Sequence, residues 1–494
     1  MGKTTVNSWG QASLFKDYPL TKVLFDEVFS KDSESYNFYK NLISNFNTYT
    51  STEYGVLNEF AKKSFLSQGI TFATYNDNPR GTERIFPFDL FPRIIPENEW
   101  AKVERGLLQR TQAINLFLND LYHDSKILRD KVIPYELIYS SGNLLKEMNG
   151  IKPQGGVYCH ISGTDLIRHS DGEFYILEDN VRCPSGVSYV LANREAMKKT
   201  LSQVFKKFNV SKVVDYPSAL LNVLQSVKPK GVDEPVCVVL TPGIYNSAYY
   251  EHSSLAQSMG VELVEGRDLF VDDNYVYMNT VYGPEKIDVI YRRIDDDFLD
   301  PLVFNCDSVL GVPGLMGAYR KGNVSLVNAP GTGVADDKAV YAYMPDIIKY
   351  YLGEEPILSN VPTYRCDVKS DLNYVLENLD KLVIKPVDQS GGYGIFIGTN
   401  ASKSECDKQK NIILDNPRKY IAQPIMNLSV HSTFIENKKK FEPRHVDLRT
   451  FTLMGKDYSY VLKGGLSRVA LKEGSLIVNS SQGGGSKDTW VISS

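Results

Sequence analysis

The segment LVIKPVDQSGGYGIFIG, residues 382–398, constrains the fold of this 494-residue chain more than any other. An apolar run ends at Lys385, a glycine-rich loop follows, and a second apolar run begins after it. This pattern predicts two strands joined by the loop. Gly391, Gly392 and Gly394 permit positive φ and close approach of a ligand, so successive N–H groups can bind an anion beside the Lys385 ammonium. The segment therefore predicts a phosphate-binding loop between strands.

A tight turn without a ligand is the alternative interpretation of this loop. The loop also differs from that of the P-loop NTPases, since no Gly-Lys-Ser or Gly-Lys-Thr follows and the next element is a strand. Other residues must therefore support the phosphate interpretation.

A second strand pair contains polar residues that suit a metal ion. VYCHIS and EFYILEDN flank a turn at residues 169–172 and predict a hairpin. Glu178 and Asn180 share one face of their strand, and Asp165 lies on the neighbouring strand. Two carboxylates and one amide are ligands that Mg²⁺ accepts beside substrate phosphates. A solvated acidic hairpin is the alternative, but the apolar residues flanking them on both strands favour a cleft.

Composition narrows the class of protein. With 42% hydrophobic residues, a chain of this length is expected to form two or three packed units. Six cysteines without a CxxC pair argue against a disulfide framework and a cysteine-rich zinc site. A formal charge of −4 argues against nucleic acid as the main partner. No apolar run approaches the roughly 20 residues of a membrane span, and no secretory signal begins the sequence, so we expect a cytoplasmic protein without membrane contact.

Changes of pattern along the chain predict four regions. Residues 1–150 are expected to be mostly helical, and residues 151–228 contain the acidic hairpin and a helix after it. Residues 229–330 alternate strand and helix as a small α/β sheet does, and residues 331–494 contain a helix followed by strands with glycine-rich turns.

Two segments of the first region have clear patterns. Apolar residues at helical spacing predict a helix between Glu97 and Lys131. The preceding RIFPFDLFPRIIP has too many prolines for us to expect a regular element.

Several motifs in a consistent order resemble one family. Lys385 with GGYG, then YIAQPI, HVDLRTFTLMG, and Arg468 with NSSQGG are similar to successive ATP-grasp segments of D-alanine ligases and of glutamate ligases that act on ribosomal protein. In those families the last of the segments consists of an Asp, a Glu-x-Asn thirteen residues later, and then a turn with proline and glycine. Asp165, Glu178 and Asn180 have this spacing but come early in the chain.

This order resembles the circularly permuted ATP-grasp proteins related to glutathionylspermidine synthase. EDNVRCPSGVSY, RRIDDDFLDP, GTGVADDKAV and VNSSQGGGSKDTW resemble signatures of their type 2 subfamily, and the resemblance extends from about residue 75 to the end. It implies a mixed α/β, circularly permuted ATP-grasp fold. Residues 1–150 would be an N-terminal helical region, 151–228 the permuted metal-binding segment, 229–330 a small Rossmann-like pre-ATP-grasp domain, and 331–494 the nucleotide-binding subdomains.

The resemblance also implies a role for each matching residue. Lys338 and Lys385 would bind phosphate, and Gln423 and the backbone of Ile425 would recognise adenine. Arg449 and Arg468 would contact the transferring phosphate and the acyl intermediate. Asp165, Glu178 and Asn180 would bind two Mg²⁺ ions.

One position departs from the family pattern. Unpermuted relatives often have an arginine two residues before the first metal-binding Asp, and here that residue is Gly163. Arg182 and Arg168 are the candidate replacements, and the sequence does not choose between them.

Two further sets of residues are candidates for substrate contacts. The turn at Ser185 and Gly186, at the start of a predicted helix, is expected to donate N–H groups to an oxyanion. Arg292 and Arg293 either bind substrate groups or form a structural ion-pair cluster.

The resemblance predicts an ATP-dependent carboxylate-amine ligase that works through an acylphosphate. Its partners would be ATP, a small-molecule or peptide carboxylate and an amine, and a homo-oligomer is compatible with the sequence. One alternative is a kinase-like phosphotransferase with the same ATP site. Another is a nucleotide-binding scaffold that acts through a partner protein, against which the intact metal triad argues.

Overall fold

The computed structural model describes residues 4–5, 14–20, 23–30, 35–74, 82–389, 394–475, 478 and 484–493. Helices and strands alternate along the described chain and assemble into several sheets, so the expected mixed α/β class is confirmed. Among these residues, no helix combines the length and the apolar character that crossing a bilayer requires.

The first part of the chain combines helices with short strands. Thr50 and Glu53 form a reciprocal capping box that starts the second helix. The helix predicted between Glu97 and Lys131 is present, although its long part ends at Leu121. The elements are β1 (Thr4–Thr5), β2 (Pro19–Leu20), α1 (Asn37–Phe46), α2 (Ser51–Ser67), β3 (Thr71–Thr74), β4 (Thr82–Ile85), β5 (Phe88–Pro96), α3 (Glu97–Leu121), α4 (Lys126–Arg129) and α5 (Tyr135–Tyr139).

The expectation that the proline-rich segment is irregular was wrong, because β5 pairs in parallel with the last strand of the chain. The register shifts between the pairs Lys487↔Asp89 and Thr489↔Arg93, which leaves Pro92 outside the regular ladder. β5 is also the outermost strand of its sheet. Prolines are tolerated at such edges and irregularities, because the missing N–H is not needed there.

The next part contains the predicted hairpin and three helices. The strands pair antiparallel across a turn that begins at His169. The long predicted helix after them is interrupted at Leu201, where the backbone leaves the helical conformation. The elements are β6 (Ile161–Arg168), β7 (Phe174–Asn180), α6 (Val187–Thr200), α7 (Ser202–Phe205) and α8 (Tyr216–Ser226).

A small parallel sheet follows, in the order β14-β13-β8-β9, with a separate three-stranded antiparallel sheet of β10, β11 and β12. Helix α9 between β8 and β9 and helix α10 between β13 and β14 agree with the expected alternation, whereas the antiparallel sheet between β9 and β13 was not expected. The elements are β8 (Cys237–Leu240), α9 (Tyr249–Met259), β9 (Glu262–Val264), β10 (Leu269–Asp272), β11 (Tyr275–Thr280), β12 (Gly283–Ile287), β13 (Val289–Arg292), α10 (Leu315–Lys321) and β14 (Ser325–Val327).

The last part supplies the remaining strands. The elements are α11 (Gly333–Asp336), α12 (Lys338–Tyr341), α13 (Met344–Leu352), β15 (Ser359–Asn360), β16 (Tyr364–Arg365), α14 (Lys369–Glu377), β17 (Leu382–Pro386), β18 (Phe396–Ile397), α15 (Lys403–Asp415), β19 (Tyr420–Pro424), β20 (Val430–Ile435), β21 (Lys440–Met454), β22 (Ser459–Val461), β23 (Leu466–Val469) and β24 (Gly485–Ile492).

Two sheets built from these strands position the site. The larger has the order β15-β7-β6-β21-β23-β24-β5, with β20 and β22 also paired to β21. The hairpin of β6 and β7 is thus incorporated beside strands that come much later in the chain. The smaller sheet has the order β16-β19-β17-β18, in which β17 and β18 are the predicted strands around the glycine loop.

Candidate active site

The hairpin brings the three predicted oxygen donors together. Asp165 pairs with Glu178 and Gly163 with Asn180, while a register shift follows Asp165. A Cβ on Gly163 would lie 2.8 Å from the Pro184 side chain. The turn after β7 therefore packs too closely for an arginine at this position, which explains the departure from the family pattern. The metal-binding role of the three donors stays a prediction.

Two arginines from the late strands bind Asp165. Arg449 donates from Nε and Nη2 to the two carboxylate oxygens at 2.6 and 2.8 Å, and Arg468 donates from Nη2 at 2.8 Å. Arg468 also binds Asp447, so two carboxylates and two guanidinium groups balance in charge. Burial alone would raise the pKa of Asp165, but the two arginines outweigh burial and hold this pKa below its usual range.

Glu178 faces a cation from another segment. The Lys338 ammonium lies 3.6 Å from one Glu178 oxygen and donates to the Gln389 carbonyl at 2.5 Å. Arg449 lies 4.0 Å from the other oxygen. Glu178, Asn180, Lys338 and Gln389 line one cleft together with Asn143, Asp179, Arg182, Asp336, Val387 and Asp388. The acidic hairpin and the strand that leads into the glycine loop therefore face each other.

Lys385 lies near the end of β17 and is buried, with only 7% of the residue's surface exposed. Burial is the main cause that lowers its pKa from 10.5 to about 8. The carboxylate of Glu178 raises this pKa, and the ammonium of Lys338 lowers it further. Within the described ranges its ammonium has no hydrogen-bonding partner, although a buried charge is costly without one. Such a group suits an incoming anion.

The glycine loop is described only in part. Gly394 has φ of 69°, and a Cβ there would lie 2.9 Å from Pro386, so glycine is required. This agrees with the expected positive φ. Gly391 and Gly392, and most of the NSSQGG motif, lie outside the described residues.

The predicted adenine contacts lie on and directly after β19, which pairs with β17. The Gln423 side chain is buried and donates to the Thr363 hydroxyl at 3.0 Å. The Ile425 N–H donates to the Lys381 carbonyl at 3.4 Å. Gln423 and Ile425 therefore lie beside β17, the strand that carries Lys385. Their role in binding adenine is untested.

Of the two candidate arginines, Arg182 lies at the cleft. Its Nε donates to Asp336 at 2.6 Å, and none of the described residues accepts a hydrogen bond from its terminal amino groups. Arg168 instead donates to the Gly172 carbonyl and to Glu99, and stacks on Phe25. Arg168 thus stabilises the far end of the hairpin.

The Gly186 N–H is already hydrogen-bonded. It donates to a Glu251 carboxylate oxygen at 2.7 Å, and the Ser188 N–H donates to the same oxygen at 3.1 Å. Gly186 itself has φ of 122°, a conformation that favours glycine. The expected oxyanion role would require the Glu251 carboxylate to give up this bond.

Arg292 and Arg293 belong to a buried structural cluster. Arg292 is 0% exposed and donates to the carbonyls of Asn328, Ile294 and Ala329. Arg293 is 5% exposed and donates to the Pro184 carbonyl and to Glu251. These contacts favour the structural interpretation of both residues, and Arg293 stabilises the turn before α6.

Sequence reasoning missed several supporting residues. Asp447 is two residues from Arg449 on the same strand, so the strand period could have identified it. Asp336, inside the GTGVADDKAV motif, accepts hydrogen bonds from the Val181 N–H and from Arg182. Arg110 forms a bidentate pair with Asp179 from 69 residues away, and no local signal indicates that pair.

The donor set fits a divalent cation beside phosphate. Among the described residues, Glu178 has two long ion pairs, and the Asn180 amide nitrogen donates to the Gly163 carbonyl, which leaves the Asn180 side-chain oxygen to face a ligand. Asp165 accepts three arginine hydrogen bonds, one on Oδ1 and two on Oδ2, so the second lone pair of Oδ1 is the position it could offer to a cation. Across the described ranges, no group of three or more His, Cys, Asp or Glu side chains is arranged to hold a metal. A cation here would therefore also need phosphate or water ligands.

Comparisons with known proteins agree with this geometry. The family profile described as circularly permuted ATP-grasp type 2 matches residues 92–470. An uncharacterised protein of Synechocystis sp. is 55% identical over 434 residues, which are 88% of this chain and 90% of that protein. A Frankia alni protein, provisionally named glutamate–cysteine ligase 2-3, is 42% identical over 426 residues, or 86% of this chain and 48% of that protein.

The fold also resembles a solved structure. A glutathione synthetase-like effector of Globodera pallida, GSS30 in its apo form, superposes with a TM-score of 0.55 at 12% sequence identity. The match covers 88% of this chain and 96% of that one. At this identity the likeness concerns the fold alone.

Proposed function

We propose that this chain, which belongs to the circularly permuted ATP-grasp type 2 family, is an ATP-dependent ligase that joins a carboxylate to an amine. The observation that supports this most strongly is the meeting of four separate chain segments around Glu178. Asp165 and Glu178 come from the early hairpin, Lys338 from α12, and Arg449 from β21. Lys385 is within electrostatic reach of Glu178, Lys338 and Asp165.

The cations of this cleft suit a triphosphate. Lys338 and the buried Lys385 would bind its phosphates, and Arg182 presents open donors on the same wall. Gln423 and the backbone at Ile425 would recognise the adenine. When bound beside Glu178 and Asn180, Mg²⁺ would neutralise phosphate charge.

The chain's own residues then support two chemical steps. The carboxylate oxygen of the acid attacks the γ-phosphorus and ADP leaves, which gives an acylphosphate. Fixed guanidinium and ammonium groups stabilise the charge on the transferring phosphoryl group without reorganising. The amine then attacks the acyl carbon, the C–O bond to phosphate breaks, and the nitrogen loses a proton.

An ADP-release screen with paired acids and amines tests this function. We expect ADP only when ATP, an acid and an amine are all present, and we expect Glu178→Gln to reduce turnover at least 100-fold, a loss of about 3 kcal/mol of transition-state stabilisation. Glu173→Gln is the matched control, because Glu173 lies on the same hairpin but forms an exposed pair with Lys102.

Two outcomes would count against the proposal. ADP release that needs no amine would indicate transfer of phosphate to a stable acceptor. Equal rates for Glu178→Gln and Glu173→Gln would remove the hairpin from the site.

A further inference from the structure

A second cleft, of about 810 Å³, lies between the small parallel sheet's helix α9 and the segment of α2 and β3. This volume is typical of small-molecule sites. Its described lining is aromatic and polar, and includes Phe72, Tyr245, Asn246, Tyr250 and Gln257. Nothing in the proposed ATP site uses these residues.

One wall of this cleft is the loop at the carboxyl end of β8, which also borders the position where ligands bind in open α/β folds. Along the chain, β8 is followed by β9 on one side, whereas β13 lies on the other side of β8. The connections after β8 and β13 therefore diverge and open a crevice at the carboxyl ends of the strands. The loop after β8, with Gly243 at φ of 97°, supplies Tyr245 and Asn246 to the cleft.

The charges of the two clefts differ. Glu83 is the sole charged side chain among the described residues that line the second cleft, and no lysine or arginine joins it there. An acid substrate would instead be attracted to the cations around Asp165. An ammonium group can lie against tyrosine rings or a carboxylate, and amide and hydroxyl side chains can pair with peptide groups.

A chain of contacts connects the second cleft to the turn after the hairpin. The Tyr250 ring lies 5.5 Å from that of Tyr189, in the first turn of α6. The neighbouring Glu251 binds the Gly186 N–H. A ligand in the cleft would therefore lie one side-chain layer from the turn that follows Asn180.

We infer that this cleft binds the amine substrate, as a peptide-like chain with a free ammonium group and without a required carboxylate. The assignment rests on the ligase function proposed above and adds the substrate class to it. Acid and amine thus approach from opposite electrostatic environments.

Equilibrium binding tests the assignment without requiring turnover. The probe is glycyl-tyrosinamide, which has an ammonium group and no carboxylate, and its counterpart is N-acetylglycyl-tyrosine, which has the reverse. By calorimetry we expect the first to bind, the second to bind at least tenfold more weakly, and Tyr245→Ala to weaken the first at least tenfold. Tyr245 is 82% exposed, so its truncation is not expected to unfold the protein.

Tyr282→Ala is the matched control, because this tyrosine is 99% exposed and lies in the turn between β11 and β12. Absence of binding to the wild-type protein, equal affinity for both probes, or equal affinity of Tyr245→Ala and Tyr282→Ala would overturn the assignment. If the probe binds as expected but no amine stimulates ADP release, the ligase proposal fails, and with it the role of the ligand as a substrate, whereas binding of an ammonium-bearing, peptide-like ligand in this cleft stands.

Discussion

The buried ammonium group of Lys385 couples stability to pH, and under the proposed function it couples both to nucleotide binding. Burial lowers its folded-state pKa from 10.5 to about 8. Between these two values the unfolded chain binds more protons than the folded one, so the contribution of Lys385 to the free energy of unfolding rises with pH in that window. Below pH 8 the buried charge destabilises the free protein by its full amount, on the order of 3 kcal/mol. A bound triphosphate would offset that cost.

We therefore expect the affinity for ATP to fall as the pH rises through about 8, because binding requires the charged ammonium. Near pH 8.5 binding should take up a proton, since the triphosphate raises the pKa of Lys385. Calorimetry between pH 7 and 9.5, in two buffers that differ in ionisation enthalpy, measures both effects.

The controls separate Lys385 from other titrating groups. Lys385→Arg keeps its charge over this range, so proton uptake should disappear. Lys381→Met changes an exposed lysine directly before the same strand and should leave the wild-type profile. An affinity that does not change with pH in the wild-type protein would contradict the prediction.

Among single residues, those with a local signal were predictable. The strand period and the turn after Arg168 were sufficient to place Asp165 beside Glu178. The hydrogen bond from Arg449 to Asp165 joins residues 284 positions apart, and the family resemblance placed both residues in one site without predicting this bond. Glu251 at the Gly186 N–H had no signal, because a carboxylate on a helix gives no indication of the backbone it will contact.

At the scale of elements, helix α3 holds β7 in place through one buried ion pair. Arg110 binds Asp179 in bidentate fashion at 2.6 to 2.9 Å and donates to Asn360 at 2.8 Å. Asp179 lies between Glu178 and Asn180 on β7, so its ion pair with Arg110 anchors the part of the strand that carries these two residues.

Arg110→Met should destabilise the protein by about 3–5 kcal/mol, because Asp179 would stay buried without its partner. We also expect weaker Mg·ATP binding, since β7 loses its anchor. Thermal melting and calorimetry measure the two effects.

The double variant Arg110→Met with Asp179→Met should recover most of the stability, because no buried charge remains unpaired. Arg105→Met is the control on an exposed part of the same helix. A stability loss for Arg105→Met as large as that for Arg110→Met would show that the effect belongs to the helix and not to the ion pair.

Elements were predictable where their partners are near in sequence. The hairpin of β6 and β7, and the strands on either side of the glycine loop, depend on local periodicity and turns. β5 was missed, because its partner β24 lies almost 400 residues later and its prolines fit only a sheet edge. Its strand character depends on tertiary pairing, which local propensity does not contain.

At the scale of the whole molecule, the permuted order makes one sheet from distant halves of the chain. β6 pairs antiparallel with β21, from Leu166 opposite Leu448 to Ile161 opposite Leu453. The early half supplies Asp165 and Glu178, and the late half supplies Lys338, Lys385, Arg449 and Arg468. Neither half contains a complete site.

A cut between Asp233 and Glu234 tests this division, because both residues are exposed in the connector before β8. We expect neither fragment alone to bind Mg·ATP, since each would leave a strand of the large sheet without its partner. Co-expressed fragments should copurify through a tag on one of them and recover binding, because the cut removes no strand pairing. A cut inside β21, between Leu448 and Arg449, divides the ladder itself and should abolish recovery. Full ATP affinity in the fragment 234–494 alone would mean that the hairpin with Glu178 contributes nothing to the site.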